Sequence, residues 1–154
     1  MNDNVVYKYY ENGNLRSKTS IDINSKRING EHWQFYDNGG IELYCMRKNG
    51  LLHGNYKDYY PNGKERVICN YIENKLHGKF YLFNEEGEKI KVLNFNQGEL
   101  EGLYENYDTI GLKRLRKYQS NEKILDLNFS KLSEIDRQDL FSSLCNKKGK
   151  FDLS

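Results

Sequence analysis

Short runs of alternating apolar and polar residues fill most of this chain. Residues 67–71 and 91–95 are examples, rich in β-branched and aromatic side chains. An apolar–polar period of two is typical of β-strands with one face turned from water. Pairs that adopt positive φ at low cost separate the runs and favour tight hairpins; they include Asn38-Gly39, Asn49-Gly50, Glu73-Asn74 and Gln97-Gly98. The pattern therefore predicts a mostly β chain of antiparallel hairpins.

The hairpins repeat with a fixed period. Gly30, Gly54, Gly78 and Gly102 are 24 residues apart, and another glycine follows each by nine residues. Three more registers share the period: an aliphatic two residues before each glycine, an aromatic or histidine two residues after it, and an aromatic five residues after it. Their members are Ile28, Leu52, Leu76 and Leu100; His32, Tyr56, Phe80 and Tyr104; and Phe35, Tyr59, Phe83 and Tyr107. Self-similarity at this period indicates a repeat array.

The array defines the domain organisation. We predict a repeat domain over residues 1–129, with units near 5–29, 30–53, 54–77, 78–101 and 102–125 and a partial final strand to 129. Residues 130–154 have helical spacing and form a predicted capping helix and tail. Ser130 or Ser133 can cap this helix, and Lys147-Lys148-Gly149 can end it; its apolar stripe is Leu132, Ile135, Leu140, Phe141 and Leu144. An amphipathic helix there would cover the exposed end of the array.

Side-chain alternation predicts which residues share a face. Leu76, Gly78 and Phe80 fall on one face of their strand, so each unit contributes an aliphatic, a glycine and an aromatic to that face. Glycine inside a strand suggests an aromatic ring lying over the gap. The aromatic five residues on, such as Phe83, has the opposite parity. Either a bulge resets the face there or both faces carry aromatics.

Charge and cysteine content limit the partners and the compartment. Formal net charge is +2, from 24 basic and 22 interspersed acidic residues, which gives no global attraction to nucleic acid or anionic membrane. No signal peptide and no apolar run of membrane-spanning length is visible. Three scattered cysteines, Cys45, Cys69 and Cys145, are typical of free thiols in a reducing compartment. We expect a cytoplasmic protein that binds no nucleic acid.

Candidate chemistry falls on repeat positions. His53 and His77 are equivalents two strands apart, so their backbones should lie about 10 Å apart with no third metal ligand. Cys45 and Cys69 have the same spacing, too wide for a disulfide. The basic residues Lys113, Arg114, Arg116 and Lys117 should divide between the two faces, Lys113 and Lys117 on one and Arg114 and Arg116 on the other. No phosphate-binding loop occurs. We predict no catalytic site, no metal and no cofactor.

The repeated phrase itself is distinctive. Asn49-Gly50-Leu51-Leu52-His53-Gly54-Asn55-Tyr56, then Tyr60 and Asn62-Gly63-Lys64, recurs from Asn74 to Gly87. It resembles the bacterial variant of the MORN repeat over about four-fifths of the chain, leaving only residues 130–154 outside. The resemblance implies successive hairpins in one elongated, twisted, single-layer antiparallel sheet. It also implies an antitoxin of a toxin–antitoxin system, or else a scaffold associated with membranes or phosphoinositides, and it brings no catalytic motif.

Two functions are therefore predicted, in order of preference. The first is a non-catalytic module that binds a protein, such as an antitoxin or immunity-type protein that covers a toxin. The second is a membrane-surface or phosphoinositide scaffold, for which the near-neutral charge is unfavourable. Half-buried aromatics make rigid contact surfaces; the candidate binding residues are Trp33, Phe35, Tyr59, Tyr81, Phe83 and Tyr107. The alternative role for each is packing within the sheet.

Overall fold

The structure is a computed structural model that describes residues 3–109 and 111–145. Its strands are β1 (Asp3–Tyr9), β2 (Leu15–Asp22), β3 (Ile28–Phe35), β4 (Ile41–Lys48), β5 (Leu51–Tyr59), β6 (Glu65–Ile72), β7 (Lys75–Leu76), β8 (Gly78–Phe83), β9 (Lys89–Asn96), β10 (Glu99–Leu100), β11 (Gly102–Asp108), β12 (Gly111–Gln119) and β13 (Glu122–Asn128). The helix α1 (Glu134–Cys145) follows.

All the strands belong to one open antiparallel sheet that follows chain order from β1 to β13. β7 and β8 both pair with β6, and β10 and β11 both pair with β9, so each short strand begins an interrupted longer one. At the interruptions, the His77 and Glu101 amides donate to the Asn70 and Asn94 carbonyls, both at 2.9 Å. The prediction of an antiparallel sheet of successive hairpins with one C-terminal helix is confirmed.

Four of the hairpin turns at one margin of the sheet contain two residues each, and the turn between β2 and β3 contains five. Asn49 and Gly50 have φ values of 54° and 87°, and Glu73 and Asn74 have 49° and 66°. Two consecutive positive φ values define the turn whose twist matches antiparallel strands. Each turn also binds the preceding unit: the Gly50 amide donates to the Ile28 carbonyl at 2.8 Å. The tight hairpins predicted from these residue pairs are confirmed.

The Gly50 turn gives a prediction that separates backbone conformation from packing. A Cβ at Gly50 would meet no atom within 4 Å. Gly50→Ala should therefore lower the free energy of unfolding by about 1 kcal/mol through its positive φ alone. Asn74 holds the equivalent position, and its side-chain oxygen accepts a bond from the Leu52 amide at 2.7 Å. Gly50→Asn should thus stay within about 0.5 kcal/mol of the parent in urea unfolding. Equal losses in both variants would contradict this account.

At the other margin the loops are longer, except in the last unit, and a glycine is the fourth of their five residues. In four of them, among the described residues, the glycine amide donates to a carbonyl three residues earlier; the pairs are Gly13 to Tyr10, Gly39 to Tyr36, Gly63 to Tyr60 and Gly87 to Asn84. In the last unit Gly111 instead starts β12 and pairs directly with Asp108. The 24-residue period predicts that Gly111 is the equivalent of Gly87. This is wrong, because the loop of the last hairpin is one residue shorter than the loops of the earlier hairpins.

A bulge surrounds the glycine that begins each repeat period. Cys45 pairs with Tyr56, and Arg47 pairs with Leu52. Only one residue of β4 lies between these two pairs, whereas three residues of β5 do, and the middle one is Gly54 with a φ of 99°. A Cβ on Gly54 would meet the Met46 Cβ at 3.4 Å, and none of the four equivalent glycines has a ring atom within 4 Å of that position. The predicted aromatic ring over each glycine is wrong. Positive φ is what requires glycine there.

Both faces of the sheet carry aromatics, which decides between the two alternatives. The register shift before Phe35 pairs Gln34 with Leu43 and Phe35 with Ile41, so the extra residue is Glu42 on the partner strand. The first strand of the hairpin keeps its alternation. His32 and Phe35 therefore point to opposite faces, and the same shift recurs in the other units.

The helix lies against one face at the C-terminal end of the sheet. α1 packs against β12, where Leu115 is fully buried and Leu112 and Phe129 form a cluster with it. Ser133 caps α1, since its hydroxyl accepts the Asp136 amide at 3.3 Å.

Ile135, a member of the predicted apolar stripe, is 71% exposed, so that part of the helix prediction is wrong. The buried group of the first turns is Arg137. The side chains of Leu140, Phe141 and Leu144, and the predicted end at residues 147–149, lie outside the described part. Within it, no helix has both the length and the apolarity needed to cross a membrane.

Candidate interaction surface

One face of the sheet holds all six candidate aromatics, and we name it the aromatic face. Direct cross-strand pairs join Trp33, Tyr44, Lys57, Ile68, Tyr81, Val92, Glu105 and Leu115 in one row across the sheet. Phe35, Tyr59, Phe83 and Tyr107 stand two residues from this row on their strands and share its parity. Each of the six candidates is half-buried. The structure therefore brings the sequence-predicted residues together on one surface.

Contacts within the aromatic face fix its rings. Trp33 and Tyr44 have centroids 4.4 Å apart, and Tyr81 stacks on Phe83 at 6.4 Å. Glu31 accepts a bond from the Trp33 indole nitrogen at 3.2 Å and one from the Tyr44 hydroxyl at 3.5 Å. Tyr44 was not predicted as a surface residue. Its partnership with Trp33 follows from strand register, which the repeat period alone does not supply.

The aromatic face divides into a covered and an uncovered part. Toward the C-terminus, Tyr107 packs beside the buried cluster of Leu112, Leu115 and Phe129. Arg137 is 1% exposed, and its guanidinium contacts Asp108 at 2.9 Å and the Leu132 and Ser130 carbonyls. Tyr107 therefore belongs to the packing under the C-terminal segment. The other five candidates lie on the part that no described segment covers.

The opposite face, which we name the ladder face, fills its own surface with side chains. Edge-to-face ring pairs recur along it: Tyr56 with Tyr71, Phe80 with Phe95 and Tyr104 with Tyr118, at 5.6, 6.2 and 6.3 Å. Buried Cys45 and Cys69 flank Tyr56 in the same row. Burial raises the pKa of Tyr56 and of Cys69 to about 12, so both stay protonated near neutral pH. A thiol in that state is a poor nucleophile.

A tyrosine ladder runs along the margin of the longer loops. The hydroxyls of Tyr10, Tyr36 and Tyr60 donate to the carbonyls of Phe35, Tyr59 and Phe83, at 2.7, 2.6 and 2.9 Å. Asn84 and Asp108 stand at the next two equivalent positions. The ladder thus ends at Tyr60, and two units later the equivalent position holds Asp108, which binds Arg137 of the C-terminal segment.

Two of the basic candidates form ion pairs on the ladder face. Arg114 and Arg116 share the ladder face with Asp126 and contact it at 2.6 and 3.3 Å. The Arg114 guanidinium, followed by Lys123 and Arg116, holds the pKa of Asp126 well below its usual range. Lys113 is the extra residue of a bulge, so simple alternation does not set its direction.

In the described part of the chain, no group of three or more His, Cys, Asp or Glu side chains could hold a metal ion. His53 and His77 therefore do not belong to such a group.

Comparisons with known proteins give no assignment. No family model matches this chain, and no curated protein matches it. Among solved structures it is similar to one described as "Crystal structure of GtfA/B complex bound to UDP and GlcNAc", with TM-score 0.30 and 9% identity. The match covers 92% of this chain and 26% of that chain, so this chain spans about a quarter of its length. With a TM-score this low, the function has to be argued from the residues of this chain.

Proposed function

We propose that this chain is a non-catalytic repeat module of the MORN type that binds another protein through the uncovered part of the aromatic face. The observation that carries the proposal is the row of half-buried rings on one face, from Trp33 to Tyr81, which no described segment covers. Such rings lose little entropy on binding and anchor protein interfaces. The same face already buries the C-terminal segment at its far end.

An antitoxin or immunity-type protein of the cytoplasm fits this arrangement, since such a protein acts by covering a partner. The alternative of a membrane-surface scaffold needs a contiguous set of basic groups free to meet anionic lipid. In the described part, Lys57 pairs with Glu65 at 2.7 Å on the aromatic face. On the ladder face Arg114, Arg116 and Lys123 converge on Asp126. These pairings favour the protein-binding role.

The test uses the products of the reading frames adjacent to the gene, titrated one at a time against the full chain. Tyr81→Ser should weaken binding of one of them at least about tenfold, because aromatic anchors dominate interface energies. Tyr104→Ser, at a half-buried tyrosine of the ladder face, is the matched control and should change affinity less than about twofold. Circular dichroism confirms that both variants fold. No binding by any neighbour, or equal losses in the two variants, would contradict the proposal.

A further inference from the structure

One position of the repeat is occupied by two side chains of a hairpin that are eight residues apart in the sequence. The first belongs to the ladder face of the first strand, and the second is the bulge residue of the second strand. The pairs in the second, third and fourth units are complementary: Gln34 with Glu42, Asp58 with Arg66, and Leu82 with Ile90. The Gln34 amide donates to Glu42 at 2.7 Å, and the Arg66 guanidinium donates to both oxygens of Asp58 at 2.9 and 3.1 Å.

The first unit holds two cations, Lys8 and Arg16, at this position. The register shift after Lys8 makes Arg16 the bulge residue. The Arg16 guanidinium carbon lies 5.6 Å from the centroid of the Tyr10 ring. In the third unit, Arg66 lies over the equivalent Tyr60 ring at 5.8 Å. Among the described residues, no carboxylate lies within ion-pair distance of either first-unit cation. Arg16 is thus placed like Arg66, but a lysine stands where Arg66 meets a carboxylate.

These two cations line a cavity of about 240 Å³, which we name the basic cavity; its other lining residues are Ser17, His32 and Gln34. The cavity belongs to the ladder face, and Ser17 is only 8% exposed. Burial, followed by the charges of Arg47 and Lys8, lowers the pKa of His32, so this ring is uncharged near neutral pH. The charge of the basic cavity therefore comes from the two cations, and the described residues that line it include no carboxylate.

We infer that the basic cavity binds a carboxylate, the Asp or Glu side chain of an acidic segment of another protein. Asp58 supplies the argument, because it shows which group the fold places against an arginine at this position. A carboxylate in the basic cavity can accept from the Arg16 guanidinium in the same way, and Lys8 adds a second cation. Two cations in one cavity do not form the extended basic surface that recognition of anionic lipid needs. The inference is independent of the proposed function, which uses the opposite face.

Two short acetylated peptides test this binding, one with consecutive glutamates and the other with glutamines at the same positions. Each is titrated into the isotope-labelled full chain, and the amide chemical shifts report where and how tightly it binds. The glutamate peptide should bind at least about fivefold more tightly than the glutamine peptide, because charge-assisted hydrogen bonds are stronger than neutral ones. The shifts should be largest at Arg16 and Ser17, which line the basic cavity. Equal binding of the two peptides would overturn the inference.

Lys8→Asp gives the first unit the ion pair of the third unit. The new carboxylate should pair with Arg16 as Asp58 pairs with Arg66, and it should occupy the place of the ligand. The variant should therefore bind the glutamate peptide at least about fivefold more weakly than the parent. Its midpoint in urea unfolding should rise above that of the parent, because like charges that face each other are destabilising. Unchanged affinity would contradict the inference whatever the midpoint.

Lys48→Asp is the matched control, because it makes the same change of charge at an exposed lysine of β4 outside the basic cavity. It should retain the affinity of the parent within about twofold, since solvent and salt screen a distant exposed charge. Equal losses in Lys8→Asp and Lys48→Asp would assign the binding to net charge and so refute a specific site. Arg16→Gln creates no new ion pair and should weaken binding of the glutamate peptide at least about threefold.

Other anions are tested in the same way, as inorganic phosphate and as vesicles of phosphatidylcholine and phosphatidylserine. Phosphate that binds at the same amides more tightly than the glutamate peptide would show that the ligand is not a carboxylate. Vesicles that shift these amides when the glutamate peptide does not would equally refute the inference. Tyr81→Ser, on the aromatic face, should leave the affinity for the glutamate peptide unchanged, so this inference and the proposed function can fail separately.

Discussion

Replacing Arg137 with alanine is expected to lower the free energy of unfolding by about 2–3 kcal/mol, because it removes a buried guanidinium that donates to Asp108 and to two backbone carbonyls. The Arg137 side chain is 1% exposed and its guanidinium contacts Asp108 and the carbonyls of Leu132 and Ser130. Without it, the carbonyls of Leu132 and Ser130 lose the guanidinium that donates to them. The same loss should release α1 from β12, since Arg137 is the buried group of the first turns of the helix.

Two measurements check this expectation. Urea unfolding followed by circular dichroism gives the change in stability, and hydrogen exchange reports opening of β12. Gln138→Ala, one residue along the helix at an exposed position, should cost less than about 0.5 kcal/mol. A loss for Arg137→Ala no larger than that of Gln138→Ala would show that the ion pair does not hold the segment in place.

A second variant separates the charge from the packing. Asp108→Asn combined with Arg137→Leu replaces the pair with uncharged groups of similar bulk, and the double variant should be more stable than Arg137→Ala alone. If it is less stable, charge itself holds the segment.

The sequence was sufficient for the sheet because its signals are local. Pairs such as Asn49-Gly50 adopt positive φ for reasons contained within the turn, and the 24-residue period repeats that information in successive units. Side-chain alternation left two placements open for aromatics such as Phe83. The structure selects one of them, because the bulge of each hairpin lies on its second strand and the first strand keeps its alternation. No step of this reasoning needed a contact between distant units.

The parts that were missed depend on registers between strands and on contacts across many residues. Arg137 looks like a solvated charge on an amphipathic helix, and only its contact with Asp108, 29 residues earlier, makes it the buried group while Ile135 stays in water. The shorter last hairpin moves Leu112 to the position of Lys89, which residue counting cannot reveal. Contacts between residues far apart in the sequence also decide whether another segment of the chain covers a half-buried ring.

Leu115→Ala is expected to cost about 3 kcal/mol, whereas Ile68→Ala, in the same row of the aromatic face, is expected to cost about 1 kcal/mol. Leu115 is fully buried under the C-terminal segment, so its removal leaves a cavity. Ile68 is half-buried on the uncovered part, where water can fill the vacated space. Urea unfolding of both variants measures the difference directly.

The comparison also tests the division of the aromatic face on which the proposed function depends. Leu115→Met keeps the side-chain volume nearly constant and should cost less than about 1.5 kcal/mol, which separates cavity formation from any change of shape. Equal losses for Leu115→Ala and Ile68→Ala would mean that the middle of the face is as well covered as its end. In that case the rings from Trp33 to Tyr81 would be packing residues and no surface would remain for a partner. If the expected threefold difference is observed, Ile68 and its neighbours are available for contact with a partner. A side chain whose truncation costs little stability in the free protein still has exposed area that binding can bury.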